Sequence, residues 1–281
     1  IIVAQALLAS WLWLRGVERG NRNGAWKYWV GYLVVATLSI YSHLLMILML
    51  PVHVVWYVIG WPQTRASWRG YLGAIAGLTL PYLPMLIWQW DLLMATTKKT
   101  GYSFTPLPRV LEVLLDNHTT GFMPDVSTIW YAPIYFVALA GLLLGLWQLS
   151  GRKSPPAHLD TPIVGIELSG WQRFLMLLCW LFGPIVLIYG LSLRQPIFVD
   201  RYIIWIGPAG ILVLMLGLGV VWHNASLLSR PLVMAIYVYI ALFWVFAGWQ
   251  QKTIEVKYDL RSAVGTIQSY RAANDLSLIH I

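Results

Sequence analysis

Long stretches of this chain contain no Asp, Glu, Lys or Arg. Gly70–Trp90, Val126–Gly151, Phe174–Leu193, Tyr202–Ser229 and Pro231–Gln251 are such windows, and Ile1–Leu14 and Tyr28–Thr64 are two more. Each of the first five has about the 20 residues that a helix needs to cross ~30 Å of hydrocarbon. Hydrophobic residues make up 59% of the 281 and charged residues 11%, against roughly 25% charged in an ordinary soluble protein. So little charge cannot cover so much apolar side chain in water, and the same balance excludes disorder and collagen. A lone cysteine, Cys179, excludes an internal disulfide and a cysteine-based metal site. The 17 Trp and 15 Tyr are the residues that populate membrane interfaces. The expectation is an all-α polytopic membrane protein.

The window Tyr28–Thr64 decides the span count. As one helix it would run on the order of 55 Å, too long for the bilayer. Two short spans with a tight turn at Tyr41-Ser42-His43 fit better, and the distribution of bases agrees. One side then holds Arg15, Arg19, Arg22, Lys27, Arg65, Arg69, Arg152, Lys153, Arg173 and Arg230, and the other Lys98, Lys99, Arg109, Arg194 and Arg201. Basic residues concentrate on the cytoplasmic side, so the Tyr41–His43 turn is expected outside. With Ile1–Leu14 read as a span already in progress, the total is about eight spans.

The outer side then receives Thr96–Ser127, Ser192–Arg201 and the tail from Gln250. Within the first of these, Leu107, Val110, Leu111, Leu114 and Leu115 follow helical spacing, with Arg109, Glu112 and Asp116 off that face. Thr105 could cap this helix, with Pro106 at its first position. An amphipathic helix of this kind lies flat at the outer interface or packs on the bundle. The organisation expected is a transmembrane domain over 1–251, truncated at its N-terminus, and the start of an outer soluble region over 252–281.

The formal charge of +8 does not point to nucleic acid. The bases sit in short loops between apolar runs, where lipid headgroups explain them, and no basic stripe interleaved with aromatics stands outside the spans. No phosphate-binding glycine loop, zinc-protease helix or serine-hydrolase elbow is present. Gly217-Leu-Gly219 is too short to carry meaning. His43 and His53 are ten residues apart, not at the i, i+4 spacing of a ligand pair, and no metal site is expected from them. His43 beside Tyr41 and Ser42 is a candidate polar pocket or a hydrogen-bonded interfacial histidine. Arg194-Gln-Pro-Ile-Phe-Val-Asp-Arg-Tyr202 places Arg194, Asp200 and Arg201 at an outer boundary. A guanidinium there can grip a lipid phosphate through its two-pronged fork, or pair with Asp200, or reach ordinary headgroups.

These pieces resemble a known family. Tyr28-Trp-Val-Gly-Tyr-Leu with Leu-Ser-Ile-Tyr-Ser-His43, Leu80-Pro-Tyr-Leu-Pro-Met-Leu-Ile-Trp-Gln89, Pro196-Ile-Phe-Val-Asp-Arg-Tyr202 with Pro208, and Tyr258-Asp-Leu-Arg-Ser-Ala-Val264 follow in order. Together they resemble four stretches of the bacterial family 39 glycosyltransferases, relatives of protein O-mannosyltransferases and of the aminoarabinose transferases of lipid A. The match covers most of the chain. Ser42 stands where the family pattern favours Thr, and Asp200 occupies a position the pattern leaves open.

The resemblance implies a GT-C membrane fold in the bacterial inner membrane, its site facing outward. It implies transfer of a sugar from a polyprenyl-phosphate donor to a glycan, lipid or protein acceptor, with no cofactor. Arg201 and Tyr202 would bind the donor phosphate, with Tyr41, His43 and Asp200 nearby and Lys98 and Lys99 as looser candidates. The family's acidic base lies in a first outer loop, expected upstream of Ile1, so the chain alone is expected to be inactive. A transporter or flippase of a lipid-linked saccharide would need charged residues along a path within the spans, and the windows lack them. A non-catalytic membrane subunit is the remaining alternative.

Overall fold

A computed structural model describes residues 1–20, 22–88, 90, 103–119, 128–150, 168–224 and 230–253. Among these residues all regular structure is helical. Helices α1 (Ile2–Arg19) and α2 (Ala25–Ser42) form an antiparallel pair. The turn between them uses Gly20 at φ 57° and Gly24 at φ 89°, a region that strains any residue with a Cβ. Ala6, Ala9, Trp13 and Val17 recur on the buried face of α1. Gly16 leaves room there for the Trp29 indole, since a Cβ would lie 2.7 Å from that ring.

The break expected in the window 28–64 falls at His43, whose backbone is extended at φ −158° and ψ 110°. The helix is weakened just before it. The hydroxyls of Ser39 and Ser42 donate to the carbonyls of Val35 and Leu38, one turn back, at 2.7 and 2.8 Å, a local alternative to helix propagation. A 3-10 turn, Leu44–Leu48, then leads into α3 (Met49–Ile59). Pro51 sits in the first turn of α3, where its missing N–H costs nothing.

At Gly60 the chain bends sharply. Helix α4 (Trp61–Thr64) and a 3-10 turn at Arg65–Ser67 precede α5 (Trp68–Thr79). The runs Leu44–Ile59 and Trp61–Thr79 meet at 94°. Helix α5 then climbs along α2: Gly70 abuts Trp29, Gly77 abuts Leu33, and Tyr82 meets Tyr41 with ring centres 6.0 Å apart. Pro81 and Pro84 break the run into a 3-10 turn, Leu80–Tyr82, and α6 (Leu83–Trp88).

Helix α7 (Leu107–Thr119) is the amphipathic segment. Its cap differs from the expectation: the Val110 N–H donates to the Pro106 carbonyl at 3.0 Å, so Pro106 is the residue before the helix rather than its first. The apolar face also divides. Val110 and Leu114 are buried in the main core, while Leu107, Leu111 and Leu115 remain exposed. The helix therefore both packs on the bundle and presents a leucine ridge outward.

Helix α8 (Thr128–Ser150) accommodates Pro133, and α9 (Gly170–Arg194) accommodates Pro184. Interior prolines are tolerated in spanning helices because neighbouring helices re-satisfy the freed groups. Helix α9 opens with a capping box, Ser169 with Gln172. The Gln172 amide also donates to the Ile59 carbonyl at 2.9 Å, and the Trp56 indole donates to the Met176 carbonyl at 2.8 Å, tying α3 to α9. After α9 come a 3-10 segment, Asp200–Ile206, then α10 (Gly207–Asn224) and α11 (Arg230–Thr253). Helix α11 runs two residues past the boundary expected at 251; residues 254–281 lie outside the described residues.

Two apolar cores result. The larger joins α1, α2, α3, α5, α7, α9 and the 200–206 segment; the smaller joins α8, α10 and α11. In the smaller, α8 and α10 cross at Gly141 and Gly217. The exterior is as apolar as the interior: Val34, Leu38, Val58, Leu72, Val186, Ile211, Leu242 and Val245 are exposed. Water does not tolerate contiguous surface of this kind, whereas lipid does. Among the described residues, Gly170–Arg194, Tyr202–Trp222 and Arg230–Gln250 are long and apolar enough to cross a membrane, and the bent pair 44–59 with 61–79 makes a fourth candidate. These are the features of an integral membrane protein.

The larger bundle has two unlike ends. At one, the α1–α2 turn meets the α4–α5 turn, with Gly20 beside Ala66. That end gathers Arg15, Arg19, Lys27, Arg65, Arg69 and Arg173 with the exposed Trp26, Trp61, Trp68 and Trp171. The opposite end carries Ser42, His43, Tyr82 and the 200–206 segment.

Candidate functional site

At that second end several separate stretches converge. The His43 imidazole and the Tyr202 ring meet edge to face, with ring centres 4.9 Å apart and their planes at 61°. His43 closes α2 because it takes the extended backbone described above, and Tyr202 is held in the 3-10 segment by its N–H donating to the Val199 carbonyl at 3.0 Å. The chain thus brings together two candidates that are more than 150 residues apart in sequence. Burial holds the His43 pKa below its usual value, so the ring is neutral at pH 7.

Tyr41 takes a different place. It is 77% exposed and leans on Tyr82 rather than on His43. The backbone of Asp200 and Arg201 opens the 3-10 segment beside Tyr202; their side chains lie outside the described residues. Lys98 and Lys99 also lie outside them. Helix α7 borders the site by packing on the 200–206 segment. On its outer face Arg109 pairs with Glu112 at 2.8 Å, and this partner raises the arginine pKa. Asp116 accepts a hydrogen bond from the Tyr131 hydroxyl at 3.1 Å, fastening α7 to α8.

One neighbour was not foreseen. The Gln5 amide of α1 donates to the Ser42 hydroxyl oxygen at 3.2 Å, on the residue next to His43. A glutamine in an apolar window was the available signal, but nothing in the sequence says that α1 ends beside α2.

The second histidine belongs elsewhere. His53 is fully buried between α1, α2 and α3. Its Nε2 lies 3.1 Å from the Ser10 hydroxyl and its Nδ1 lies 2.9 Å from the Tyr32 hydroxyl. Trp13 stacks on the ring with centres 5.7 Å apart, and Trp56 adjoins it. Whichever tautomer the ring holds, one nitrogen donates and the other accepts, so both are satisfied. This group is a polar pin inside an aromatic core, separated from His43 by the 44–48 turn and the first turn of α3.

The chain matches no protein-family model, no curated protein and no solved structure.

Proposed function

We propose that this protein is a membrane glycosyltransferase of the family 39 kind. It moves a sugar from a polyprenyl-phosphate carrier to an acceptor on the outer face of a bacterial inner membrane. Its spans are α1, α2, α3 with its preceding turn, α5 with α6, α8, α9, α10 with the 200–206 segment, and α11. Helix α7 lies at the outer interface on its exposed leucine ridge, and the chain beyond α11 begins an outer region.

The observation that carries this reading is the meeting of His43 with Tyr202, two positions drawn from separate motifs of the resemblance. The basic, tryptophan-rich opposite end supports the orientation, since such an end belongs on the cytoplasmic side. In the reaction, an acceptor hydroxyl oxygen bonds to the anomeric carbon as the bond from that carbon to the phosphate oxygen breaks. The phosphate leaves with the electron pair, its charge held by the Arg201 guanidinium and the Tyr202 hydroxyl. The acceptor's proton passes to a carboxylate, which the resemblance puts in the family's first outer loop.

Arg201→Ala tests the phosphate role. A hydrogen bond to a charged group is worth about 1.5–3 kcal/mol, so affinity for the polyprenyl-phosphate donor should fall roughly 10- to 100-fold. Arg201→Lys should fall between, because it keeps the charge and loses the fork. If Arg201→Ala lowers thermal stability and leaves donor affinity alone, the arginine serves only as a partner of Asp200 and the reading loses its phosphate site.

A further inference from the structure

The basic end of the larger bundle takes no part in the proposed reaction, and its charges are left unbalanced. Arg19, Arg22, Lys27, Arg65 and Arg69 are all exposed there. Glu18 is that end's one carboxylate among the described residues, and Arg15 already holds it at 2.7 Å. Among the described residues no ion pair involves any of the five exposed cations.

Two turns far apart in the sequence build this patch. Gly20 abuts Ala66, and each of them follows an arginine, Arg19 in one turn and Arg65 in the other. The Arg22 N–H donates to the Arg19 carbonyl at 3.0 Å, which holds a third arginine in the same tight turn. Arg69 stands in the first turn of α5. Like charges gathered in this way repel one another, a cost that an anion between them removes.

Cations alone would accept any anion, and the indoles among them narrow the choice. Trp26, Trp61, Trp68 and Trp171 are between 44% and 63% exposed. The Arg69 guanidinium lies over the Trp68 ring, 5.4 Å from its centre. Exposed indoles belong at the depth where headgroups meet hydrocarbon. A soluble polyanion would cover the charges and leave those rings in water. A lipid with an anionic headgroup suits both, since its phosphate meets the guanidinium forks and its acyl chains begin at the depth of the rings.

We propose that the α1–α2 turn and the α4–α5 turn together bind the phosphate of an anionic glycerophospholipid, which clips the two turns to each other. This site stands at the opposite end of the bundle from His43 and Tyr202. It rests on the placement of charges and indoles and is independent of the transferase reading, and it holds whichever side of the membrane this end faces.

Native mass spectrometry of the detergent-solubilised protein tests this by comparing the affinities of added dioleoylphosphatidylglycerol and dioleoylphosphatidylcholine. The anionic lipid should bind about 10-fold tighter or more, and it should raise the thermal midpoint, as a ligand of the folded state does. Arg19→Gln combined with Arg65→Gln should bring the two lipids to within about 3-fold of each other. Both side chains are exposed, and the midpoint without added lipid reports whether the double variant folds. If it does not, Arg69→Gln decides, with an expected loss of about 3-fold by itself. Arg109→Gln takes one charge from α7, at the other end, and should leave the preference as it was. Glycerol 3-phosphate at the same concentration should not displace the lipid. Equal affinity for the two lipids, a preference retained in a folded variant of the patch, an equal loss with Arg109→Gln, or displacement by glycerol 3-phosphate overturns the proposal. The donor-binding test on Arg201 is separate, so either reading can fail alone.

Discussion

At the scale of single residues, His43 has the most to reveal. Its pKa is held down by burial, so the folded protein resists protonating it and the unfolded chain does not. The unfolded state then binds more protons as pH falls below its ordinary value of about 6.5. Stability contributed by the neutral ring is present above that pH and is lost as the pH drops toward the folded value. The thermal midpoint of the protein should fall as the pH drops below about 6.5, and His43→Gln should make that fall shallower. A slope unchanged by His43→Gln would assign the titration to another group. Tyr202 permits a separate check. Tyr202→Phe keeps the ring against His43 and removes only the hydroxyl. It should weaken phosphate-carrier binding by roughly 3- to 10-fold, the worth of about one hydrogen bond. Unaltered carrier affinity in that variant would leave Tyr202 with a packing role only.

Two of the devices by which helices meet in this protein are close backbone contact and a buried polar pin. A Cβ placed on Gly217 would lie 2.5 Å from the Gly141 Cα and 2.9 Å from the Val137 carbonyl oxygen. Backbone cannot swing away as a side chain can, so Gly217→Val must part α8 from α10. A loss of roughly 1–3 kcal/mol or more is expected, visible as a lower thermal midpoint. Gly219→Ala meets nothing within 4 Å and should be silent. The pin behaves differently. Tyr32→Phe alone leaves a buried nitrogen of His53 unpaired, at a cost of about 1–3 kcal/mol. Replacing Ser10, Tyr32 and His53 together by Ala, Phe and Leu removes every stranded group and should recover much of that loss. If the triple variant is no more stable than Tyr32→Phe, the three side chains do not act as a unit.

For the molecule as a whole the measurable property is sidedness. Ser42 stands at the His43 end and Ser103 is exposed shortly before α7. Ser67 marks the basic end, but it is fully buried and its hydroxyl donates to the Thr64 carbonyl, so the exposed Ala66 is the better probe. On a Cys179→Ser background, an impermeant thiol reagent applied to sealed cells should label Ser42→Cys and Ser103→Cys. It should label Ala66→Cys only after the membrane is opened. Labelling of Ala66→Cys from outside would reverse or break the topology.

The windows without charge were enough to announce the helices seen among the described residues, and the long one from Tyr28 was enough to demand a break near His43. Both follow from local physics: the width of hydrocarbon limits a helix's length, and serines that bond back to the helix weaken it. The alternation of leucines was likewise enough to find α7, though not to divide its face. Which leucines are buried depends on what α7 rests on, and the 200–206 segment lies far along the chain. The same reason hid Gln5 and the His53 pin. In apolar helices almost every face looks alike in sequence, so pattern cannot say which polar residue turns inward or toward which neighbour. Gly217-Leu-Gly219 read as too short to matter, yet Gly217 is where two helices touch. Small residues leave no signal of their own; only the partner that fills the missing volume gives them meaning. The tertiary structure made those assignments because helix contacts in a membrane are decided by shape and paired polar groups, after hydrophobicity has been satisfied everywhere.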